Sequence, residues 1–91
     1  MEKIRRAYRF TGRVQGVGFR WRAEKAAERL GVTGWVRNEY DGSVRMELQG
    51  TEAQLSAVLL AIENGTYIDI EDMRVKTVPT VEDEGWFYVR D

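Results

Sequence analysis

Apolar and polar residues alternate strictly at the start of the chain, and then the period changes. Within residues 4–14 the large apolar side chains take one parity and the arginines take the other: Tyr8, Phe10 and Val14 against Arg5, Arg9 and Arg13. This period of two predicts a half-buried strand. From Phe19 to Leu30 the apolar residues recur every three or four positions, which predicts a helix that ends at Gly31.

The middle of the chain repeats this change from strand to helix. Residues 32–37 and 44–48 each predict a strand, and Asp41-Gly42 between them predicts a hairpin turn, because glycine accepts the positive φ that such turns need. Residues 51–54 form a capping-box pattern, and the apolar face of a second predicted helix follows: Leu55, Val58, Leu59 and Ile62. Asn64-Gly65 then ends this helix.

The parity of the apolar residues changes within the last predicted long strand, residues 68–78. Ile68 and Ile70 hold one parity whereas Met73 and Val75 hold the other, so we predict a bulge near residues 71–72. A short strand over residues 86–89 closes the pattern.

The order βαββαβ with antiparallel hairpins is typical of a ferredoxin-like α+β sandwich, in which two helices pack on one face of an antiparallel sheet. We assign Phe10, Phe19 and Trp35 to the core between the two layers. With 91 residues, 43% of them hydrophobic and 32% charged, we expect one domain over residues 1–91.

Apolar runs in this chain are short. None approaches the length of about 20 residues that a membrane span needs, and no signal-peptide pattern precedes the first predicted strand. We therefore expect a cytoplasmic protein without membrane partners. We also expect a monomer.

Cysteine and histidine are both absent. Thiolate nucleophiles and disulfides are therefore excluded, together with the commonest general base and the commonest ligands of transition metals. Chemistry in this chain has to use arginine, asparagine, carboxylates, hydroxyls or backbone groups, and we expect no metal and no other cofactor.

Positive charge is concentrated at the start of the chain. Residues 1–29 hold nine Lys or Arg and three Asp or Glu, whereas residues 30–91 hold five and twelve. Within the basic part, residues 12–20 join the first strand to the first helix, where amide N–H groups lack intrahelical partners and the helix dipole favours an anion.

This connection has the composition of a phosphate site. Gly16 and Gly18 let consecutive amides turn towards an oxyanion, and Arg20 adds a guanidinium fork that fits phosphate oxygens. The loop lacks the ending of a P-loop and the spacing of a dinucleotide fingerprint, so no nucleotide is implied. By itself, a glycine-rich loop is a weak signal, and a plain tight connection beside a surface arginine is the simpler interpretation.

Two segments resemble the signatures of a known family. Gly12-Arg13-Val14-Gln15-Gly16-Val17-Gly18-Phe19-Arg20 resembles the first signature of the acylphosphatases, and Gly34-Trp35-Val36-Arg37-Asn38-Glu39-Tyr40-Asp41-Gly42-Ser43-Val44 resembles the second. The close resemblance covers about residues 5–50. Many members carry Gly-Pro after the second helix, where this chain has Asn64-Gly65, so the path of the last strands is left open.

The resemblance implies metal-independent hydrolysis of acyl phosphates to a carboxylate and inorganic phosphate, with phosphate or sulfate as competing anions. It implies that Arg20 is the catalytic arginine that binds phosphate. The amides of the preceding residues would complete the cradle: Gln15, Gly16, Val17, Gly18 and Phe19. Asn38 would hold the attacking water, although the residues alone equally allow Asn38 to initiate the turn that follows it.

Other classes of protein share the predicted order of elements. An RNA-recognition module needs aromatic residues on the exposed face of its third strand, and residues 44–48 contain none. A net charge of −1 also disfavours nucleic acid as a partner. A non-catalytic regulatory or binding domain is the second alternative, and a carbamoyl-phosphate-handling module of the kind found in larger maturation enzymes is the third.

Overall fold

The computed structural model describes residues 2–90 and contains the strands and helices in the predicted order. Their bounds are β1 Ile4–Arg13, α1 Phe19–Leu30, β2 Thr33–Asn38, β3 Val44–Gly50, α2 Glu52–Glu63, β4 Asp69–Val78 and β5 Phe87–Arg90. The predicted boundaries differ from these by one or two residues. Gly31 ends α1 in the left-handed conformation, with φ +72°, and the Thr51 capping box begins α2, both as predicted.

The five strands form one sheet in the order β4-β1-β3-β2-β5. All neighbouring pairs are antiparallel except β2 and β5, which run parallel. Between β1 and β4 the register shifts, because Thr11 pairs with Asp72 and Gly12 with Ile70, which leaves Glu71 as an extra residue. The bulge predicted near residues 71–72 is therefore confirmed.

Both helices cover the same face of the sheet. α1 packs on β2 and β5, and α2 packs on β3 and against α1. The side chains between the layers come from alternate strand positions and from the apolar faces of the helices, and they include Tyr8, Phe10, Val36, Met46, Leu48, Phe19, Leu55 and Ile62. The ferredoxin-like α+β sandwich predicted from the pattern is confirmed.

Trp35 does not lie in this core, so that prediction is wrong. Successive strand residues point to opposite faces of a sheet, and the fully buried Val36 occupies the inward position on β2. Trp35 therefore lies on the open face, where the guanidinium carbons of Arg90 and Arg37 are 4.9 and 5.6 Å from the centre of its ring. Cation–π contacts, rather than burial between layers, hold this indole.

Both helices have twelve residues. Neither helix within residues 2–90 combines the length and the hydropathy that crossing a bilayer requires.

Candidate active site

The loop between β1 and α1 takes a backbone conformation that glycine alone adopts without strain. Gly16 and Gly18 have φ of +72° and +84°, with Val17 between them. A Cβ added at either glycine would meet no atom within 4 Å, so the requirement for glycine comes from the backbone angles and not from crowding. Backbone that alternates between left-handed and ordinary angles is the arrangement that forms anion-binding nests.

The first turn of α1 leaves its amide donors open. Gly18 occupies the N-cap position, no side chain caps the helix, and the first turn contains no acidic residue. Within residues 2–90, the amides of residues 16–20 donate to no other backbone group, and the first donor after them is Arg22 N–H, 3.0 Å from the Gly18 carbonyl oxygen. These donors and the helix dipole together favour a bound anion at this position.

Arg20 extends from this open turn into a cleft of about 400 Å³ that Gly16, Gly18 and Asn38 also line. None of the six ion pairs among residues 2–90 involves Arg20. A guanidinium beside open amides and without a carboxylate partner can give two parallel hydrogen bonds to a phosphate.

Asn38 is the last residue of β2 and pairs with Val44 across the hairpin. Its Oδ1 is buried and has no hydrogen-bond donor within residues 2–90. Buried side-chain oxygens nearly always have a donor, so an unpartnered one in a cleft fits a role towards a ligand or a water molecule.

The turn after Asn38 is held by another residue. Asp41 Oδ1 accepts hydrogen bonds from the Ser43 amide at 2.9 Å and from the Ser43 hydroxyl at 2.6 Å. These hydrogen bonds, together with one from Arg9, lower the pKa of Asp41 to about 2. The turn-forming role that the sequence alone allows for Asn38 therefore belongs to Asp41.

Gln15 has a role that sequence reasoning missed. The sequence assigns only its amide to the phosphate cradle, but its side-chain Nε2 donates to the carbonyl oxygens of Glu39 at 2.7 Å and Ser43 at 2.9 Å. Gln15 thus ties the glycine loop to the turn beside Asn38 and fixes the two halves of the cleft relative to each other. No local pattern signals this contact, because 24 and 28 residues separate the partners.

The cleft also contains three residues that the sequence did not single out. Trp21, Glu24 and Val89 line it together with Arg20 and Asn38. Trp21 falls outside the apolar spacing of α1, whose buried residues are Phe19, Ala23, Ala26 and Ala27. That departure from the helix period is the one local signal that could have indicated a role for Trp21 at the surface.

The cleft combines an arginine with open amides at the start of a helix. This combination is typical of proteins that bind phosphate-like anions. A family model described as Acylphosphatase matches residues 6–89. The acylphosphatase of Salinibacter ruber is 51% identical over 70 residues, which cover 77% of this chain and 70% of that relative. For the acylphosphatase of Clostridium acetobutylicum the identity is 42% over 79 residues, covering 86% and 87%. The chain belongs to the acylphosphatase family.

Solved structures agree with this assignment. The crystal structure of acylphosphatase from Bacillus subtilis superimposes with a TM-score of 0.87 at 30% identity, and the match covers 97% of this chain and 99% of that one. The predicted family is confirmed, and the comparisons give no support to the alternative of a non-catalytic binding module.

Proposed function

We propose that Arg20 and Asn38 are the residues with which this enzyme hydrolyses acyl phosphates to a carboxylate and inorganic phosphate. The activity follows from membership of the acylphosphatase family. The assignment of the two residues rests on one observation: a single cleft is lined by the open start of α1, by an arginine without a carboxylate partner and by Asn38, whose buried Oδ1 has no donor within residues 2–90.

In this proposal the phosphoryl oxygens sit in the glycine loop. The amides from Gln15 to Phe19 and the guanidinium of Arg20 donate hydrogen bonds to these oxygens. The charge spread over the oxygens in the transition state is stabilised by donors whose positions the backbone has already fixed, which is the largest contribution that protein groups make to such reactions.

Asn38 Oδ1 accepts a hydrogen bond from the attacking water and aims its oxygen at phosphorus, opposite the acyl oxygen. The bond from water oxygen to phosphorus forms as the phosphorus–acyl oxygen bond breaks, and the electron pair leaves on the carboxylate. The proton of the water passes to a phosphate oxygen. A carboxylate leaves without protonation, so the lack of histidine and cysteine does not hinder this reaction.

The proposed reaction needs no metal ion, because Arg20 and the amides supply the charge stabilisation that a cation gives in other phosphoryl transfers. Within residues 2–90, no group of three or more carboxylates lies close enough together to hold a metal. We expect turnover to persist in EDTA; loss of activity that zinc or magnesium restores would contradict this part of the proposal.

Hydrolysis of benzoyl phosphate tests the assignment of Arg20. Arg20→Lys keeps the charge but loses the planar fork, so it should show low turnover and weak competition by phosphate and sulfate. Arg29→Ala is the matched control, since Arg29 is an exposed arginine in the last turn of the same helix, outside the cleft. Equal rates for Arg20→Lys and the unmodified enzyme would remove Arg20 from the site.

We further infer that the enzyme acts as a monomer, because one chain supplies every group in the proposed mechanism. Light scattering during gel filtration measures this, and a dimer at assay concentration would contradict it. The cytoplasmic location and the lack of nucleic-acid and membrane partners stay predictions from the sequence.

A further inference from the structure

The cleft around the phosphate cradle is also lined by residues that the mechanism does not use. Trp21, Glu24 and Val89 line the same 400 Å³ space as Arg20 and Asn38. The phosphoryl group of a bound substrate occupies the cradle in the proposed mechanism, so its acyl group extends either towards solvent or along these other lining residues. In the second case, their side chains influence which acyl groups are favoured.

Two of these residues present apolar surface to the cleft. Trp21 is 62% exposed although it is a large aromatic residue, and Val89 is 40% exposed. Val89 lies opposite Val36 in the parallel pair of β5 and β2, and α1 packs against β5. An indole and a branched aliphatic side chain that line one polar cleft provide the kind of exposed apolar surface that marks a ligand site.

Glu24 brings a negative charge into a cleft whose other features favour anions. It follows Arg20 by four residues and Trp21 by three, so all three side chains lie on one side of α1. No ion pair within 4 Å joins Glu24 to Arg20 or to any other cation of residues 2–90. The carboxylate of Glu24 is therefore not neutralised by a direct ion pair, and its charge can repel a negative charge on the acyl group.

We propose that Trp21 and Val89 form an acyl-binding subsite that favours aromatic or branched apolar acyl groups, and that Glu24 disfavours acyl groups with a second negative charge. The substrate class is then acyl phosphates of neutral, bulky carboxylic acids, in preference to acetyl phosphate and to phosphates of dicarboxylic acids. This inference rests on the proposed site, since it places the phosphoryl group beside Arg20.

The apolar part of the proposal is tested with Trp21→Ala, assayed on benzoyl phosphate and on acetyl phosphate. Removing the indole should lower the ratio of kcat/KM for benzoyl phosphate to that for acetyl phosphate by about 5- to 20-fold, which is the range that apolar contacts give in open pockets. The value for acetyl phosphate and the inhibition constant of phosphate should stay the same. Trp21→Phe should restore most of the ratio, because a flat ring remains.

Trp86→Ala is the matched control, because Trp86 is 63% exposed and packs against Tyr88 outside the cleft. Its ratio should equal that of the unmodified enzyme. An unchanged ratio in folded Trp21→Ala would overturn the subsite. An equal fall on both substrates would also overturn it, since Trp21 would then act only by positioning Arg20.

The charged part is tested with Glu24→Gln on 4-carboxybenzoyl phosphate, a substrate that differs from benzoyl phosphate by one distal carboxylate. The variant should raise kcat/KM for this substrate about 3- to 10-fold at low salt, with less gain at high salt, because ions screen the repulsion. Any gain on benzoyl phosphate, which shares the phosphoryl group but lacks the distal carboxylate, should be smaller, so the ratio of the two kcat/KM values should rise. Glu28→Gln, one turn further along α1 and exposed, should leave both values unchanged.

Failure of this inference can be distinguished from failure of the proposed site. If Glu24→Gln gains nothing on 4-carboxybenzoyl phosphate while Arg20→Lys is still impaired, the phosphate cradle stands and Glu24 has no role in specificity. If Arg20→Lys hydrolyses benzoyl phosphate at the full rate, the proposed site is wrong, and the inference fails with it.

Discussion

The two helices of this protein have the same length and begin in opposite ways. At the start of α2, Thr51 Oγ1 accepts a hydrogen bond from the Gln54 amide at 3.2 Å, and Gln54 Oε1 accepts one from the Thr51 amide at 2.9 Å. At the start of α1, Gly18 offers no side chain, and the amides of residues 16–20 donate to no other backbone group within residues 2–90.

The difference supports separate roles for the two helix starts. A capping box satisfies the donors of the first turn within the protein and stabilises the helix by about 1 kcal/mol. A glycine N-cap is less stabilising by only about a few tenths of a kcal/mol, and it leaves these donors open, so we infer that they serve a ligand. The sheet and core then have to hold α1 in place, and its buried residues Phe19, Ala23, Ala26 and Ala27 provide that contact.

The largest effect that this comparison predicts is the loss of activity in Arg20→Ala. The variant should lose about 10³-fold in kcat/KM on benzoyl phosphate, because this guanidinium is proposed to contribute both ground-state binding and transition-state stabilisation. Its free energy of unfolding should change by less than about 0.5 kcal/mol, since Arg20 forms no ion pair within residues 2–90. Steady-state kinetics and urea unfolding on the same sample measure both quantities.

If the free energy of unfolding of Arg20→Ala fell far enough to explain the lost activity by unfolding, the prediction would be contradicted, because Arg20 would then support the fold. Arg5→Met is the reference for an arginine that does support the fold. Arg5 is buried and its side chain is held by Glu47 at 2.6 Å and Glu84 at 2.8 Å, so its removal should destabilise the protein by about 3 kcal/mol or more.

Asn38→Ala should give the second largest effect. We expect kcat to fall about 10²-fold, with the inhibition constant of phosphate nearly unchanged, because Asn38 is proposed to contact the water and not the phosphate. Asn64→Ala, at the end of α2, serves as the control and should keep its full kcat. A folded Asn38→Ala protein with normal kcat would leave the water without its proposed acceptor.

Local patterns predicted most of the fold, because alternation, helix spacing, the glycine stop and the capping box each depend on neighbouring residues. The bulge at Glu71 was predictable for the same reason. Trp35 was misplaced because the pattern of a short strand does not show which parity faces the helices. Which side of β2 faces the helices is decided when the sheet and the helices pack together, and there Val36 is the residue that is buried.

The candidate site was predictable only in part. Arg20 and the glycine loop form one continuous segment, so their chemistry is visible in the sequence. Asn38 is ambiguous in the sequence; the structure shows Asp41 holding the turn, and the role of Asn38 towards water stays a proposal. Val89 reaches the cleft through the parallel pairing of β5 with β2, and no pattern near residue 89 indicates that pairing.

Phosphate should stabilise the folded protein, because the anion is proposed to bind the open amides at the start of α1. The start of α2, which is capped, should give no such effect. At a phosphate concentration 100 times the dissociation constant, the free energy of unfolding should rise by about 2.7 kcal/mol. Sulfate should act in the same way, because amides at a helix start favour tetrahedral oxyanions in general. Urea unfolding with and without phosphate measures the change, with sodium chloride at equal ionic strength as the control for salt. In Arg20→Ala the gain should be largely lost; an equal gain there would place the anion elsewhere.

The smallest expected effect is the loss of stability when the N-terminal cap of α2 is removed. Thr51→Ala removes the hydroxyl that accepts from the Gln54 amide, so the protein should lose about 1 kcal/mol of stability. Thr51 is a better position to change than Gln54, whose Nε2 also donates to the Leu30 carbonyl at 3.0 Å and so joins α2 to the end of α1. Thr51→Ser keeps the hydroxyl and should keep the stability.

Thr51→Ala should leave kcat/KM and the affinity for phosphate unchanged, because α2 takes no part in the cleft around Arg20. Urea unfolding and benzoyl phosphate kinetics on Thr51→Ala, Thr51→Ser and Arg20→Ala together complete the comparison. Stability should fall only where the capping hydroxyl is lost, and activity only where the arginine is lost. If Thr51→Ala weakened phosphate binding, the start of α2 would affect the start of α1. The capped start of α2 could then not be treated as purely structural.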